Sequence, residues 1–236
     1  MCYSPEADLI AGLVVGAVGV DAMRHVDDRR DLALAAIPLV LATHQFIEAV
    51  AWWGLQGRVP EEVGGVAVGL YLVIALAVVP VLVPYGVWRA EPSSSRRAAM
   101  FPFIVLGVCV AAVLVGSMAT NPYEATIGGR FIAYDVGAPE GGALAVLYAL
   151  AICATLLLSS HRKIVILGVL NVVAFSLLSW LLAEGVISLW CIWAAVWSVL
   201  IAQHLREASR EHSATAQAVR SLSSSARDAG LKESKE

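Results

Sequence analysis

Seven stretches of this chain are apolar for long enough to approach the thickness of a lipid bilayer, and little lies between them. A spanning helix needs about 20 mostly apolar residues, each adding about 1.5 Å of rise. The stretches run from Leu9 to Met23, Leu32 to Leu55, Val63 to Trp88, Ala98 to Ala119, Ala143 to Ser159, Ile164 to Ala183 and Val186 to Leu205. Lipid offers no hydrogen bonds, so each stretch must satisfy its own backbone and is predicted to be a helix. Composition agrees: 59% of the residues are hydrophobic and 15% charged, against about 45–50% and about 25% in soluble proteins. That balance excludes a disordered chain, a disulfide scaffold and most soluble enzymes. The predicted fold class is all-α: an integral membrane bundle of seven transmembrane helices over 1–205. A polar tail at 206–236, rich in Ser, Ala and charge, is expected to be cytoplasmic and partly disordered.

Basic residues set the orientation. Arg24, Arg29 and Arg30 lie between spans one and two, Arg89, Arg96 and Arg97 between three and four, and Arg162 and Lys163 between five and six. The tail adds Arg206, Arg210, Arg220, Arg227, Lys232 and Lys235. Only Arg58 and Arg130 fall on the opposite side. The bias alternates through all seven spans. It predicts a multi-pass plasma-membrane protein with its amino terminus outside and its carboxyl terminus in the cytoplasm. Glu6 and Asp8 form an acidic flank before the first span, unlike the basic flank of a cleaved signal peptide. The net charge of −3, with basic residues spread along a membrane face, gives no reason to expect nucleic acid.

Ionisable groups inside spans are expensive and mark candidate sites. The second span carries the densest set. His44 and Glu48 are one helical turn apart, Gln45 precedes Glu48 by three, and Trp52 follows it by four, so the four share one stripe. A neutral carboxyl in an apolar cavity is a strong proton donor, and His44 or Gln45 could position it. A buried hydrogen-bond cluster that locks packing is the other reading, although Ser or Asn would serve packing at less cost. Asn171 in the sixth span, beside Ser176 and Ser179, could bond across helices or touch a ligand. Trp190, Trp193 and Trp197 are spaced by three and four and line one face of the seventh span, where an interfacial belt does not explain them. Trp88 fits such a belt. Indole faces attract cations where water is excluded.

Other features are plainer. Cys109, Cys153 and Cys191 sit within spans, where a thiol behaves as a small apolar group, and Cys2 stands alone outside. Gly12 and Gly16 read as a close-packing device. Pro80, Pro84 and Pro102 should kink their spans. The loop from Thr120 to Gly142, with Tyr123, Tyr134 and Asp135, is longer than a connection needs. It could cover an outward cavity or be a disordered surface loop. Asp21, His25, His161 and His204 gather near the cytoplasmic side and could hold a metal, but no HExxH or HxxxH spacing supports one. No cofactor and no metal are expected.

Three of these segments carry a resemblance. Met1-Cys2-Tyr3-Ser4, the run from His44 to Glu48 with Trp52, and Ser188-Leu189-Trp190-Cys191 resemble a group of small uncharacterised bacterial multi-pass membrane proteins. That likeness implies a membrane location. A looser similarity is to the small seven-span terpene cyclases of meroterpenoid and indole-terpenoid pathways. They share the size, the span count and an acid with a nearby Trp in the second span, as Glu48 and Trp52 stand here. The resemblance implies proton-initiated cyclisation of a prenyl chain or its epoxide, with Glu48 as acid. Those cyclases use a second acid near the last span; here Glu184, just before it, is nearest.

The reading that joins these features is a membrane-embedded enzyme acting on a lipophilic isoprenoid. Glu48 protonates, His44 and Gln45 position it, Glu184 is the second acid, and Trp52, Trp190, Trp193, Trp197 and Asn171 line the substrate. Its partners would be membrane lipid, a lipophilic small molecule, and a pathway prenyltransferase and epoxidase. Two alternatives stand beside it: a proton-coupled transporter or small-ligand sensor, and a zinc-dependent seven-span lipid hydrolase using His25, His161 and His204.

Overall fold

The structure, a computed structural model, describes residues 4–128, 131–137, 141–181, 193, 195–211, 214, 215 and 217. Helix α1 (Pro5–Arg24) opens on Ser4, whose side chain accepts from the Ala7 N–H, with Pro5 at the first position, where its missing N–H is harmless. α2 (Leu32–Leu55) has the bounds expected for the second span. α3 (Glu61–Val73) runs through a π-helical segment (Ile74–Val78) into α4 (Val79–Ala90). α5 (Ser94–Thr120) is capped by the Ser93 side chain. α6 (Gly141–Leu157) and α7 (Arg162–Leu181) follow, and a last helix, α8, covers 195–211. Among the described helices, Leu32–Leu55, Glu61–Ala90 and Ser94–Thr120 are long and apolar enough to cross a membrane, and Gly142–Leu157 is a shorter apolar helix.

The mostly helical fold agrees with the all-α class. The long loop holds a short hairpin, β1 (Glu124–Gly128) paired antiparallel with β2 (Phe131–Asp135), and Ile132 of β2 is fully buried. One expectation needs correction: the acidic flank is not all flank. α1 begins four residues before the expected span, so Asp8 falls inside the helix and is fully buried. Its neighbours on that face, Gly12, Val15, Gly19 and Ala22, are buried at helical spacing. The first half of the expected seventh span lies outside the described residues.

Charged contacts sort the helix ends into two groups. At one end Arg206 donates to Asp21 at 2.6 Å, Lys163 pairs with Glu207 at 2.5 Å, and Arg96 donates to the Leu158 and Ser159 carbonyls. At the other end Arg58 lies 3.7 Å from Glu6. α1 and α2, α5 and α6, and α7 and α8 therefore run antiparallel. The flanks are apolar: Leu13 is 66% exposed and Val146 62%. Apolar surface of this kind suits lipid contact.

Close packing depends on a few glycines. A Cβ on Gly54 would come 2.5 Å from the Gly64 Cα, so α2 and α3 meet backbone to backbone. Gly12 lies under the Phe46 ring, and Gly16 has ordinary room beside Ala42, so only the first half of the GxxxG motif is sterically required. Pro80 also removes a donor. In π register residue 80 would donate to the Ala75 carbonyl, but proline has no N–H. The Tyr148 hydroxyl of α6 donates to that carbonyl instead, at 2.8 Å. Tyr148→Phe should therefore lower stability by about 1–3 kcal/mol, the cost of a buried carbonyl left without its donor. Unfolding by graded denaturing detergent reads this, with Tyr85→Phe, an exposed site, as the unchanged control.

Candidate functional site

The inward face of α2 gathers the candidate acid group. Gln45 and Glu48 are fully buried, Trp52 is 3% exposed and His44 7%. The stripe arises because residues three and four apart stack on one side of a helix. His44 donates Nε2–H to the Tyr71 carbonyl at 3.2 Å, which leaves Nδ1 as the basic nitrogen of the neutral ring. The imidazole also stacks on the Tyr71 ring, with centroids 3.9 Å apart and planes 16° apart. Tyr71 stacks in turn on Tyr134 of β2, at 4.7 Å and 19°. A column of three rings thus runs from α2 across α3 to the hairpin. Trp52 Nε1 is buried with no hydrogen-bond partner among the described residues. Chemically the arrangement offers a fully buried carboxyl, with aromatic faces one helix away.

Tyr71 was not singled out in the sequence, although a phenol between Leu70 and Leu72 in an apolar run is a signal. Tyr134 was noticed only as part of a loop that could cover a cavity. The covering is real in one respect: Val68, Tyr71, Leu72 and Trp52 share a core cluster with Ile132 of the hairpin. A cleft of about 200 Å³ opens beside it, lined by Gly54, Glu61, Gly64, Val68 and Tyr123. It lies at the helix ends, away from Glu48.

The remaining predicted residues do not join this group. Asn171 is fully buried, and its Oδ1 accepts the Trp193 indole N–H at 3.2 Å. Trp193 and Trp197 belong to a separate core cluster with Ile152, Leu156, Ile164 and Leu167. Trp52 belongs to the cluster under the hairpin. Trp52 and the pair Trp193 and Trp197 thus lie in different core clusters. Glu184 and Trp190 lie outside the described residues, as do Cys2 and Cys191.

The histidines expected to gather do so only in part. His161 and His204 rings lie 4.5 Å apart, while His25 donates Nδ1–H to the Asp21 carbonyl at 2.8 Å. Among the described residues no three His, Cys, Asp or Glu side chains are grouped to hold a metal. Trp88 lies near the end of α4, with the Arg97 guanidinium 4.5 Å over its ring.

Glu91, missed in the sequence because it lies between spans, clamps this end. Only 1% exposed, it accepts from the Ser93 N–H at 3.1 Å, the Ser160 N–H at 2.7 Å and the Ser160 hydroxyl at 2.5 Å. The clamp joins the end of α4 to the turn between α6 and α7. Burial alone would raise the Glu91 carboxyl, but the Ser160 and Ser93 hydrogen bonds, with His161 nearby, outweigh it and hold the group below its ordinary range. A carboxyl lowered on folding contributes stability above its unfolded value and loses it as pH falls through the folded value. The thermal stability of the wild type should thus fall as pH drops below 4.5, the ordinary value. Glu91→Gln should be less stable at neutral pH and show a shallower acid dependence.

No curated protein and no solved structure matches the chain. A family model does, over residues 1–218, and on that match the chain belongs to a family of unknown function, DUF6629.

Proposed function

We propose that the protein is a membrane-embedded enzyme that protonates a lipophilic isoprenoid, with Glu48 as general acid. The observation that carries this reading is a fully buried carboxyl on an apolar helix, on one stripe with Trp52 and with His44, whose ring stacks in a column with Tyr71 and Tyr134. Proton transfer to an alkene or epoxide creates a carbocation. An apolar enclosure keeps water from quenching that cation, and aromatic faces stabilise it. The proton leaves the Glu48 carboxyl for a substrate carbon or epoxide oxygen. The cation then closes a ring and loses a proton to a base, which restores a neutral product. His44, held by its bond to the Tyr71 carbonyl, positions the acid's surroundings. Greasy substrates would enter from the lipid.

The test uses the purified full-length chain in lipid discs, with a farnesylated phenol and its terminal epoxide as probes. Cyclised product made in heavy water should carry one deuterium from solvent when the alkene is protonated. Glu48→Gln should remove product by at least about a hundredfold, the usual contribution of a positioned acid, while keeping its helix content. Cyclisation at the wild-type rate in that variant would end the proposal. The neighbouring reading, a proton-coupled transporter, draws on the same His44 and Glu48 stripe. It predicts uptake driven by a pH gradient in vesicles and no chemical conversion.

The same reading places seven helices across the plasma membrane, with the amino terminus outside. Its support is the sorting of ends: Arg96, Lys163 and Arg206 meet at one end, and Arg58 lies at the other. In variants freed of native cysteines, Arg58→Cys on intact cells should react with an impermeant maleimide. Ser94→Cys should react only after the cells are opened. Labelling in the reverse order would invert the topology.

A further inference from the structure

A glycine inside a helix weakens it, so one that packs against nothing calls for a reason. Gly64 has one in packing: a Cβ on it would come 2.7 Å from the Gly54 Cα, so only glycine fits between α3 and α2. Gly65, the next residue of α3, does not, because a Cβ there meets nothing within 4 Å. It lines the cleft of about 200 Å³ at the ends of α2 and α3, and its missing side chain keeps that space open. Leu55, Val68 and Ala125 give the cleft apolar walls, Tyr123 brings a phenol from the approach to the hairpin, and Glu61 brings a carboxylate. A Cβ on Gly69 would come 2.8 Å from the Tyr123 hydroxyl, so this phenol is seated on α3.

The charge around the cleft is of one sign. Among the described residues Glu61 has neither an ion pair nor a hydrogen bond, while Arg58, the one cation of the loop before it, lies 3.7 Å from Glu6. Glu62 adjoins Glu61 in the first turn of α3, and Glu124, next to Tyr123, pairs in register with Asp135. The amino terminus of α3 offsets only about half a charge of this. Apolar walls, an aromatic ring and an uncompensated carboxylate together suit a weakly hydrated cation. The volume lies below the ~300 Å³ at which drug-sized sites begin, so the ligand is small. We propose that this cleft binds a methylated ammonium group on a short apolar body, with Glu61 as its counter-ion and Tyr123 as one wall. The site lies away from Glu48 and does not require Glu48 to act as an acid.

The experiment measures equilibrium binding of tritiated butyltrimethylammonium to the full-length chain, at fixed ionic strength, in discs of a digalactosyl lipid that carries no charge and no ammonium. Glu61→Gln should weaken binding at least about tenfold, and Tyr123→Leu about threefold or more. Gly65→Leu should abolish it by filling the cleft, while its helix content and thermal stability match or exceed those of the wild type, since leucine is the better helix former. Glu62→Gln, beside the cleft and not in its lining, should bind within about twofold of the wild type. 2,2-Dimethylhexane, the same shape with carbon in place of the charged nitrogen, should not compete. Choline phospholipids carry the same group. Probe affinity lowered in choline-phospholipid discs to the level of Gly65→Leu would identify lipid as the natural occupant, and unchanged affinity would point to a free ligand. Absence of saturable binding to the wild type would overturn the proposal. So would wild-type binding in Gly65→Leu, equal competition by dimethylhexane, or equal losses in Glu61→Gln and Glu62→Gln, the mark of surface charge rather than a site.

Discussion

Every backbone polar group in an apolar surrounding needs a partner, and much of this molecule is arranged around one place where the helix cannot supply it. Pro80 has no N–H, and the π-helical turn at Ile74–Val78 shifts the local ladder by one residue. Tyr148 of α6 serves the Ala75 carbonyl there, and just before the turn His44 of α2 adds a second donor to the Tyr71 carbonyl, which already accepts the Ile74 N–H. The π turn is thus the junction between the two core clusters. Ile74 packs with the larger cluster, which draws on α1, α2 and α4 to α8, and Leu76 with the cluster under the hairpin.

That arrangement gives His44 a defined posture. Its Nε2 is committed to a carbonyl and its face to the Tyr71 ring, so the imidazole is held on two sides. Tyr71 is held in the same way, between His44 and Tyr134. A hairpin that would be marginal in water is stable here because Ile132 and Tyr134 dock on helices. The stripe on α2 is therefore shaped by three elements distant in sequence.

Apolar length was readable because lipid allows few alternatives to a helix. The bounds of α2 came directly from its hydrophobic run, and those of α5 within a few residues, since Ser93 and Thr120 mark its ends. The hairpin was harder. Its strands are short and pair only with each other, so Asn121-Pro122 and the glycines drew the eye to a loop. Gly128-Gly129 between Ile127 and Phe131 was the available turn signal. The burial of Asp8 depends on which face of α1 meets α2, and no local pattern states that. The stripe of His44, Gln45, Glu48 and Trp52 was legible from spacing alone. Its stacking partners were not, because Tyr71 and Tyr134 meet it only through tertiary packing. The division of the tryptophans between two clusters likewise follows from how α8 docks.

The ion pair between Asp21 and Arg206 bears on how the molecule is made. Its two residues are 185 positions apart, near opposite ends of the chain. During synthesis the first helix is made long before the last exists. Asp21 must therefore wait, with His25 beside it, until α8 arrives to claim it. The first helix acquires its final neighbour only when the last one is in place. A chain released early would leave this carboxylate without its guanidinium.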